Sequence, residues 1–235
     1  MAVELAGRRI DELAGRQGRL LFAYLVTNRL RPVGRGELAN VLWPEEAPRA
    51  AETSLSGVLS RLRRALGEGV LQGRSELRLV LPADARIDVE TAFEEIHRAQ
   101  SAVALADWPR AWVSARIALH VSRRVFLPGY EGEWIDQRRR HLAALQASAL
   151  ECVGEAALAL EGAETAAAER SARALIELDP YLEAGYRLLM RALQAGGNTA
   201  AALNVYDELR RRLREELGVP PSRETQDLHR QLLTT

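Results

Sequence analysis

The chain has no lysine: all 32 of its Lys+Arg residues are arginine. A Gly-x-x-x-x-Gly-Lys-Ser/Thr phosphate loop is therefore excluded, and no His-Glu-x-x-His metal pair occurs. The single cysteine, Cys152, excludes an internal disulfide and a cysteine-based zinc site, and its place in a helical pattern reads as a buried, inert thiol. Four histidines, His97, His120, His141 and His229, are scattered over helical stretches and read as surface or interface side chains. Aromatic residues are few, and Trp43, Trp108, Trp112 and Trp134 read as core anchors. The inventory offers no catalytic residue, no cofactor and no metal site, so an enzyme is not expected. No uninterrupted apolar run of roughly 18 residues occurs, so no membrane span is expected. Met1–Gly15 carries acids and lacks the apolar core of a signal peptide, and a cytoplasmic location is expected.

Formal net charge is zero, which argues against a simple polyanion-coating protein. The charge is uneven, however. Residues 1–82 hold 13 Arg against 9 Asp+Glu, and residues 83–235 hold 19 against 23. A length of 235 residues suits one large or two ordinary domains. Pro82-Ala83-Asp84-Ala85-Arg86 reads as the junction, giving domains at 1–82 and 83–235.

The stretch Pro48–Leu66 organises the first part. Leu55, Val58, Leu59, Leu62 and Leu66 recur at helical spacing and define one apolar face. Projected at about 100° per residue, Thr53, Gly57, Ser60 and Arg64 fall opposite it, with Arg49, Ser56 and Arg61 on the shoulders. No carboxylate lies near the centre of that outer face. Small and hydroxyl residues let a helix approach a surface closely, and arginine forks match phosphates and guanine edges. A helix lying in a DNA major groove needs this pattern, and a plain solvated helix also tolerates it. Two shorter helices precede it, Arg19–Asn28 and Glu37–Trp43, separated by Arg31-Pro32-Val33-Gly34. Pro48 is expected to open the long helix. Three helices in this order make a helix-turn-helix. After Gly67 the period changes to two. Val70-Leu71-Gln72, a Gly73-Arg74-Ser75 turn and the alternating Leu77, Leu79 and Leu81 read as a β-hairpin wing with Arg74 at its tip. Val3, Leu5, Ile10 and Leu13 suggest two brief strands around Gly7-Arg8-Arg9.

Beyond the junction the pattern is almost all helical, with breaks at Asp107-Trp108-Pro109, Val125–Gly132, Ala163-Glu164-Thr165, Asp179-Pro180, Gly196-Gly197-Asn198 and Gly218–Pro221. A shift of 34 residues, the tetratricopeptide period, brings Cys152 onto Tyr186, Ala159 onto Leu193, Ala168 onto Ala202, Ala172 onto Tyr206 and Leu175 onto Leu209. Such paired helices stack into surfaces that bind partners rather than do chemistry. The expected fold is mainly α: an N-terminal winged helix-turn-helix followed by an all-α, tetratricopeptide-like repeat domain.

Arg31-Pro32-Val33, Glu37–Pro44 and Val58–Leu66 resemble the DNA-binding part of the SARP-type transcriptional activators of actinobacteria, the antibiotic regulatory proteins. Ala201–Tyr206, Glu215–Ser222 and Leu228-His229 are similar to the end of that family's bacterial transcriptional activation domain. The resemblance implies a winged helix of the response-regulator output type joined to a tetratricopeptide-like domain. It also implies binding to direct repeats of double-stranded DNA near a promoter and contact with RNA polymerase holoenzyme. The implied assembly is a monomer or weak dimer off DNA and a tandem pair on it. The family usually carries a longer sheet before the first helix than Met1–Gly15 allows, and Gly-Tyr in the wing where Ser75-Glu76-Leu77 stands here.

On this reading Arg49, Thr53, Ser56, Ser60, Arg61, Arg64 and Arg74 are the candidate DNA-binding residues. Arg123, Arg124, Arg138, Arg139 and Arg140, around Val125–Leu142, form a candidate site for a small anionic ligand; solvated helix faces are the alternative. Two further functional classes stay open beside the activator: a protein-interaction scaffold with weak or lost DNA binding, and a ligand-gated regulator.

Overall fold

A computed structural model describes residues 3–5, 8–10, 13–160 and 162–234. The chain forms two compact units, Met1–Ala85 with Phe126–Gln137, and Arg86–Val125 with Arg138–Thr235.

The first unit is a winged helix-turn-helix. Two short antiparallel strands, β1 (Glu4–Leu5) and β2 (Arg8–Arg9), come first, with Glu4 opposite Arg9; Gly7, expected in their turn, lies outside the described residues. Helix α1 (Gly15–Thr27) buries Leu20, Leu21 and Leu25. The sequence Arg31–Gly34, expected only to break the chain, also supplies a strand, β3 (Val33–Gly34). Its Val33 is buried and pairs with Leu77 across the sheet, so tertiary pairing overrides the local turn signal. Helix α2 (Arg35–Leu42) stops two residues before Pro44. Helix α3 (Ala51–Leu66) buries Leu55, Val58, Leu59, Leu62 and Leu66. It starts at Ala51 rather than at Pro48: Pro48–Ala50 form a separate turn, closed by the Ala51 N–H donating to the Pro48 carbonyl at 2.9 Å. Strands β4 (Leu71–Gln72) and β5 (Glu76–Leu79) make the wing, and the sheet runs β3-β5-β4. Gly73 has φ +90°, and a Cβ there would meet the Glu76 carbonyl oxygen at 1.8 Å, so this tight turn admits only glycine.

One polar cluster ties α1, β3 and α2 together. Arg31 donates to both Glu37 carboxylate oxygens, at 3.0 and 2.5 Å, and Tyr24 donates its hydroxyl to the same group at 2.5 Å. The Arg31 hydrogen bonds hold the Glu37 carboxyl below the usual carboxylate range. The segment 126–137 joins this unit through its aromatic residues. Trp134 meets Tyr24 edge-on with centroids 5.0 Å apart, and Tyr130 donates to the Arg16 carbonyl at 3.1 Å while Arg16 lies over its ring. Leu127, Tyr130 and Ile135 bury Leu20 and Ala23 of α1.

The second unit contains α4 (Asp88–Ala104), α5 (Trp108–Ser122), most of α6 (Glu133–Leu160), α7 (Thr165–Leu178), α8 (Glu183–Ala195), α9 (Thr199–Arg212) and α10 (Arg223–Thr234). Its main core packs Ile96, Leu150, Leu175, Leu188, Met190 and Tyr206 among alanines, and in two smaller clusters every buried member is alanine. Ala102 and Ala111 pack on Ala156, while Ala157 packs on Ala167, Ala168 and Ala192. Side chains this small bring helix axes close. Gly154 takes this furthest, since a Cβ there would lie 2.2 Å from Leu188 Cδ2. The repeat pattern holds at Cys152, Tyr186, Ala168, Ala202, Ala172, Tyr206, Leu175, Leu209 and Leu193, all buried. Ala159 departs from it: near the end of α6 it is exposed. By length and composition alone α6 could cross a membrane, although the sequence shows no unbroken apolar run; half of that stretch is buried inside the fold. Helix α9 runs into a π-helical turn, Leu213–Leu217, and Gly218 ends it at φ +71°.

The C-terminal helix is fastened by one carboxylate. Glu183 at the start of α8 accepts the Ser222 N–H at 2.9 Å, the Ser222 hydroxyl at 2.7 Å and the Thr225 hydroxyl at 2.5 Å. Burial raises the Glu183 pKa, but the Thr225 and Ser222 hydrogen bonds outweigh it and the net value is lowered. A lowered folded-state pKa stabilises the fold above the ordinary glutamate value and loses that effect as pH falls through the folded value. Glu183→Ala should cost about 2 kcal/mol at neutral pH, because the buried Thr225 hydroxyl loses its acceptor. Urea unfolding of wild type and variant measures it, and the difference should shrink once the pH drops below about 4.

Candidate nucleic-acid interface

Burying five side chains along one side of α3 leaves no choice about what faces out. Leu55, Val58, Leu59, Leu62 and Leu66 are each 3% exposed or less. Thr53, Ser56, Ser60, Arg61 and Arg64 are all exposed on the opposite side and its shoulders. Arg49 is also exposed, but it sits in the turn ahead of the helix. Arg63 and Arg64 lie in the last turn, where positive charge meets the negative end of the helix dipole.

Four residues that the helical projection did not single out shape this surface. Arg35, first in α2, donates through Nε and Nη2 to Glu52 Oε2 at 3.0 and 2.8 Å and through Nη2 to Ser56 Oγ at 2.7 Å. Glu52 therefore stands at the edge of the face, beside a hydroxyl that the projection assigned to DNA. No sequence pattern links positions 17 residues apart. Arg63 crosses to the wing, donating to the Leu71 and Gly73 carbonyls at 3.3 and 2.6 Å. Arg78 is exposed opposite Gln72 on the outer face of the wing. The alternation of Leu77 and Leu79 could have revealed it. Arg74 is exposed at the tip, with Glu76 exposed nearby.

The electrostatic contrast is local. As folded, the first unit is neutral, with 13 arginines against 13 acids, because 84–85 and 126–137 bring Asp84, Glu131, Glu133 and Asp136. Residues 49–78, which hold α3 and the wing, carry 6 arginines and 3 acids. The basic excess thus belongs to this strip and not to the unit.

The second unit does not gather its candidate arginines into one pocket. Arg123 and Arg124 are exposed at the end of α5, with Arg124 Nη2 2.7 Å from His120 Nε2. Arg138, Arg139 and Arg140 are successive on α6 and so fan out by about 100° each. An open groove of about 340 Å³ lies elsewhere, between α6, α8 and α10. Its cations are already matched: Arg191 pairs with Glu155, and Arg187 reaches Glu224 at 3.2 Å. Cys152 is buried, and burial pushes its thiol up to about 11, consistent with a packing role. No group of three or more metal-ligating side chains comes together among the described residues. His229 stacks flat on Tyr206 at 3.8 Å.

A winged helix-turn-helix with a hydroxyl and arginine outer face, on one chain with a stack of alanine-packed helix pairs, defines a winged-helix regulator with a helical repeat domain. The comparisons with known proteins agree. Residues 87–233 match the family model of the bacterial transcriptional activator domain. The regulatory protein AfsR of Streptomyces coelicolor is 33% identical over 218 residues, 92% of this chain and 22% of that protein. The transcriptional regulatory protein EmbR of Mycobacterium tuberculosis is 27% identical over 223 residues, 92% of this chain and 57% of that protein. A solved structure of Mycobacterium tuberculosis EmbR in complex with a low-affinity phosphopeptide has a TM-score of 0.85 and 25% identity, covering 97% of this chain and 61% of that one. The chain thus spans about a fifth of AfsR and somewhat over half of EmbR. It belongs to the bacterial transcriptional activator domain family and is of the SARP type.

The wing clamp yields a prediction. Arg63→Met removes two hydrogen bonds to wing carbonyls and should cost about 1 kcal/mol. Amide exchange should quicken at 72–76 and stay unchanged in α1. Unchanged exchange in the wing would show that Arg63 does not hold it.

Proposed function

We propose that this chain is a sequence-specific DNA-binding transcriptional activator, with α3 as the recognition helix and the β4-β5 hairpin as the wing. The observation that carries the reading is the outer face of α3, where Thr53, Ser56, Ser60, Arg61 and Arg64 are exposed together and the sole carboxylate of the helix stands at the edge. In this reading Arg61, Arg64 and the hydroxyls face base edges and phosphates in the major groove. Arg74 reaches the backbone or minor groove from the wing tip, and Arg49 meets a phosphate beside the helix start. Family membership supports the activator role. It also supports a division of labour between residues 1–82, which bind DNA, and residues 83–235, which meet the transcription machinery through RNA polymerase. The segment 126–137 completes the core of the first unit, so the winged helix is best handled as part of the whole chain.

Selection from a randomised duplex pool tests the reading. The full chain should enrich a defined half-site, with binding that weakens steeply as salt rises. Arg64→Ala should then lose about 1–3 kcal/mol on the selected site and much less on random DNA. Equal loss on both would make Arg64 a phosphate contact, and failure to enrich any sequence would contradict specific recognition.

Direct repeats place two copies head to tail on one face of the duplex. Moving the second half-site by half a helical turn puts its copy on the opposite face. Cooperative binding and stimulation of purified RNA polymerase in vitro should disappear with that change and return with a full turn. Stimulation indifferent to spacing would argue for independent monomers.

A further inference from the structure

Glu52 is the only acidic residue in α3. Its side chain is 71% exposed, and it holds Arg35, whose side chain is 24% exposed. Nε and Nη2 both donate to Oε2, and Nη2 also reaches the Glu52 backbone carbonyl at 3.4 Å and the Ser56 Oγ. Among the described residues Oε1 of Glu52 accepts no hydrogen bond and Nη1 of Arg35 makes none. An exposed ion pair of this kind adds little to stability. Packing gives no reason for the acid either, since the side chain stands in solvent, and its place in the first turn of α3, at the positive end of the helix dipole, adds only a small stabilisation. Its effect on an approaching polyanion is larger. The carboxylate repels phosphate and occupies the same fork of N–H groups that a phosphate would take.

We propose that Glu52 withholds Arg35 from DNA phosphates, and so limits the part of the affinity that is independent of sequence. The inference rests on the DNA-binding reading above. With Glu52 ionised, Arg35 is already neutralised and its approach to the backbone releases no net counterion. With that charge removed, Arg35 is an uncompensated cation, and its fork exchanges a neutral acceptor for a phosphate oxygen. One more phosphate contact steepens the dependence of log K on log salt by about 0.9 for duplex DNA. The gain is the same on every sequence, because phosphates carry no base information.

The experiment titrates the full chain against the selected site and a random-sequence duplex across a salt series, for wild type, Glu52→Gln, Arg35→Met and the double variant. Glu52→Gln keeps an acceptor for Arg35 and removes only the charge, and unchanged thermal melting verifies the fold. It should tighten binding to both duplexes by a similar factor, roughly threefold near physiological salt, and steepen the slope by about 0.9. Arg35→Met in the Glu52→Gln background should erase both effects. An unchanged slope in Glu52→Gln, or a gain that survives without Arg35, overturns the proposal. Weaker binding of Glu52→Gln to the selected site alone also overturns it, by making Glu52 a reader of base edges. A wild-type chain that binds neither duplex removes the DNA-binding reading itself, and that failure is visible before any variant is compared.

Discussion

Everything proposed for the first unit depends on which way α3 is turned, and that is set by apolar burial. Leu55, Val58, Leu59, Leu62 and Leu66 each contribute about 1.5–3 kcal/mol when fully buried, so rotating the helix to hide another face would cost far more than any surface interaction could return. The hydroxyls and arginines on the other side are outward by exclusion. The rest of the unit holds that helix in place. The Arg31–Glu37–Tyr24 cluster fixes α1 against α2, β3 pairs with the wing, and Arg63 joins the wing to the helix. Hydrogen-bonded charges act at the margins of the unit and leucine acts at its centre.

The second unit is built on a different economy. Its main core mixes leucine, Met190 and Tyr206 with alanine, its smaller helix contacts are alanine on alanine, and Gly154 lets Leu188 lie against the backbone of α6. Close approach of this kind lets the helix pairs stack tightly, and most of the charged residues lie on the outside and pair among themselves, with Glu95 buried against Arg98 as the exception in α4. The groove between α6, α8 and α10 shows the result: its arginines meet glutamates of the same unit. Glu183 applies the same principle at the C-terminal end, where one carboxylate gathers three donors from the start of α10.

Much of this was legible in the amino-acid sequence, for reasons that differ from place to place. The apolar stripe of α3 has the 3.6-residue period of a buried face, so its outward residues could be named directly. Alternation at Leu77 and Leu79 gave the wing strand, and Gly73 marked the turn. Val33–Gly34 was not legible as a strand, because two residues beside a proline carry no period and their pairing with β5 is long-range. The first-turn preference of proline points to a helix start at Pro48, but Pro48–Ala50 close a turn of their own ahead of the helix. Arg35 and Glu52 lie on different helices and meet only after folding. The charge contrast between residues 1–82 and 83–235 was a property of the sequence division. Once 126–137 joins the first unit, the contrast contracts to α3 and the wing.

Because every cation on this chain except the histidines and the amino terminus is an arginine, one reagent class reports on the whole surface. Arginine-selective dicarbonyl modification of the full chain, free and on a duplex carrying its selected site, can be read residue by residue by mass spectrometry. Arg61, Arg64 and Arg74 should become protected on DNA while Arg123, Arg124 and Arg140 react equally in both states. Unchanged reactivity at Arg61 and Arg64, with protection at the arginines of α5 and α6 instead, would contradict the assignment of α3 as the recognition helix.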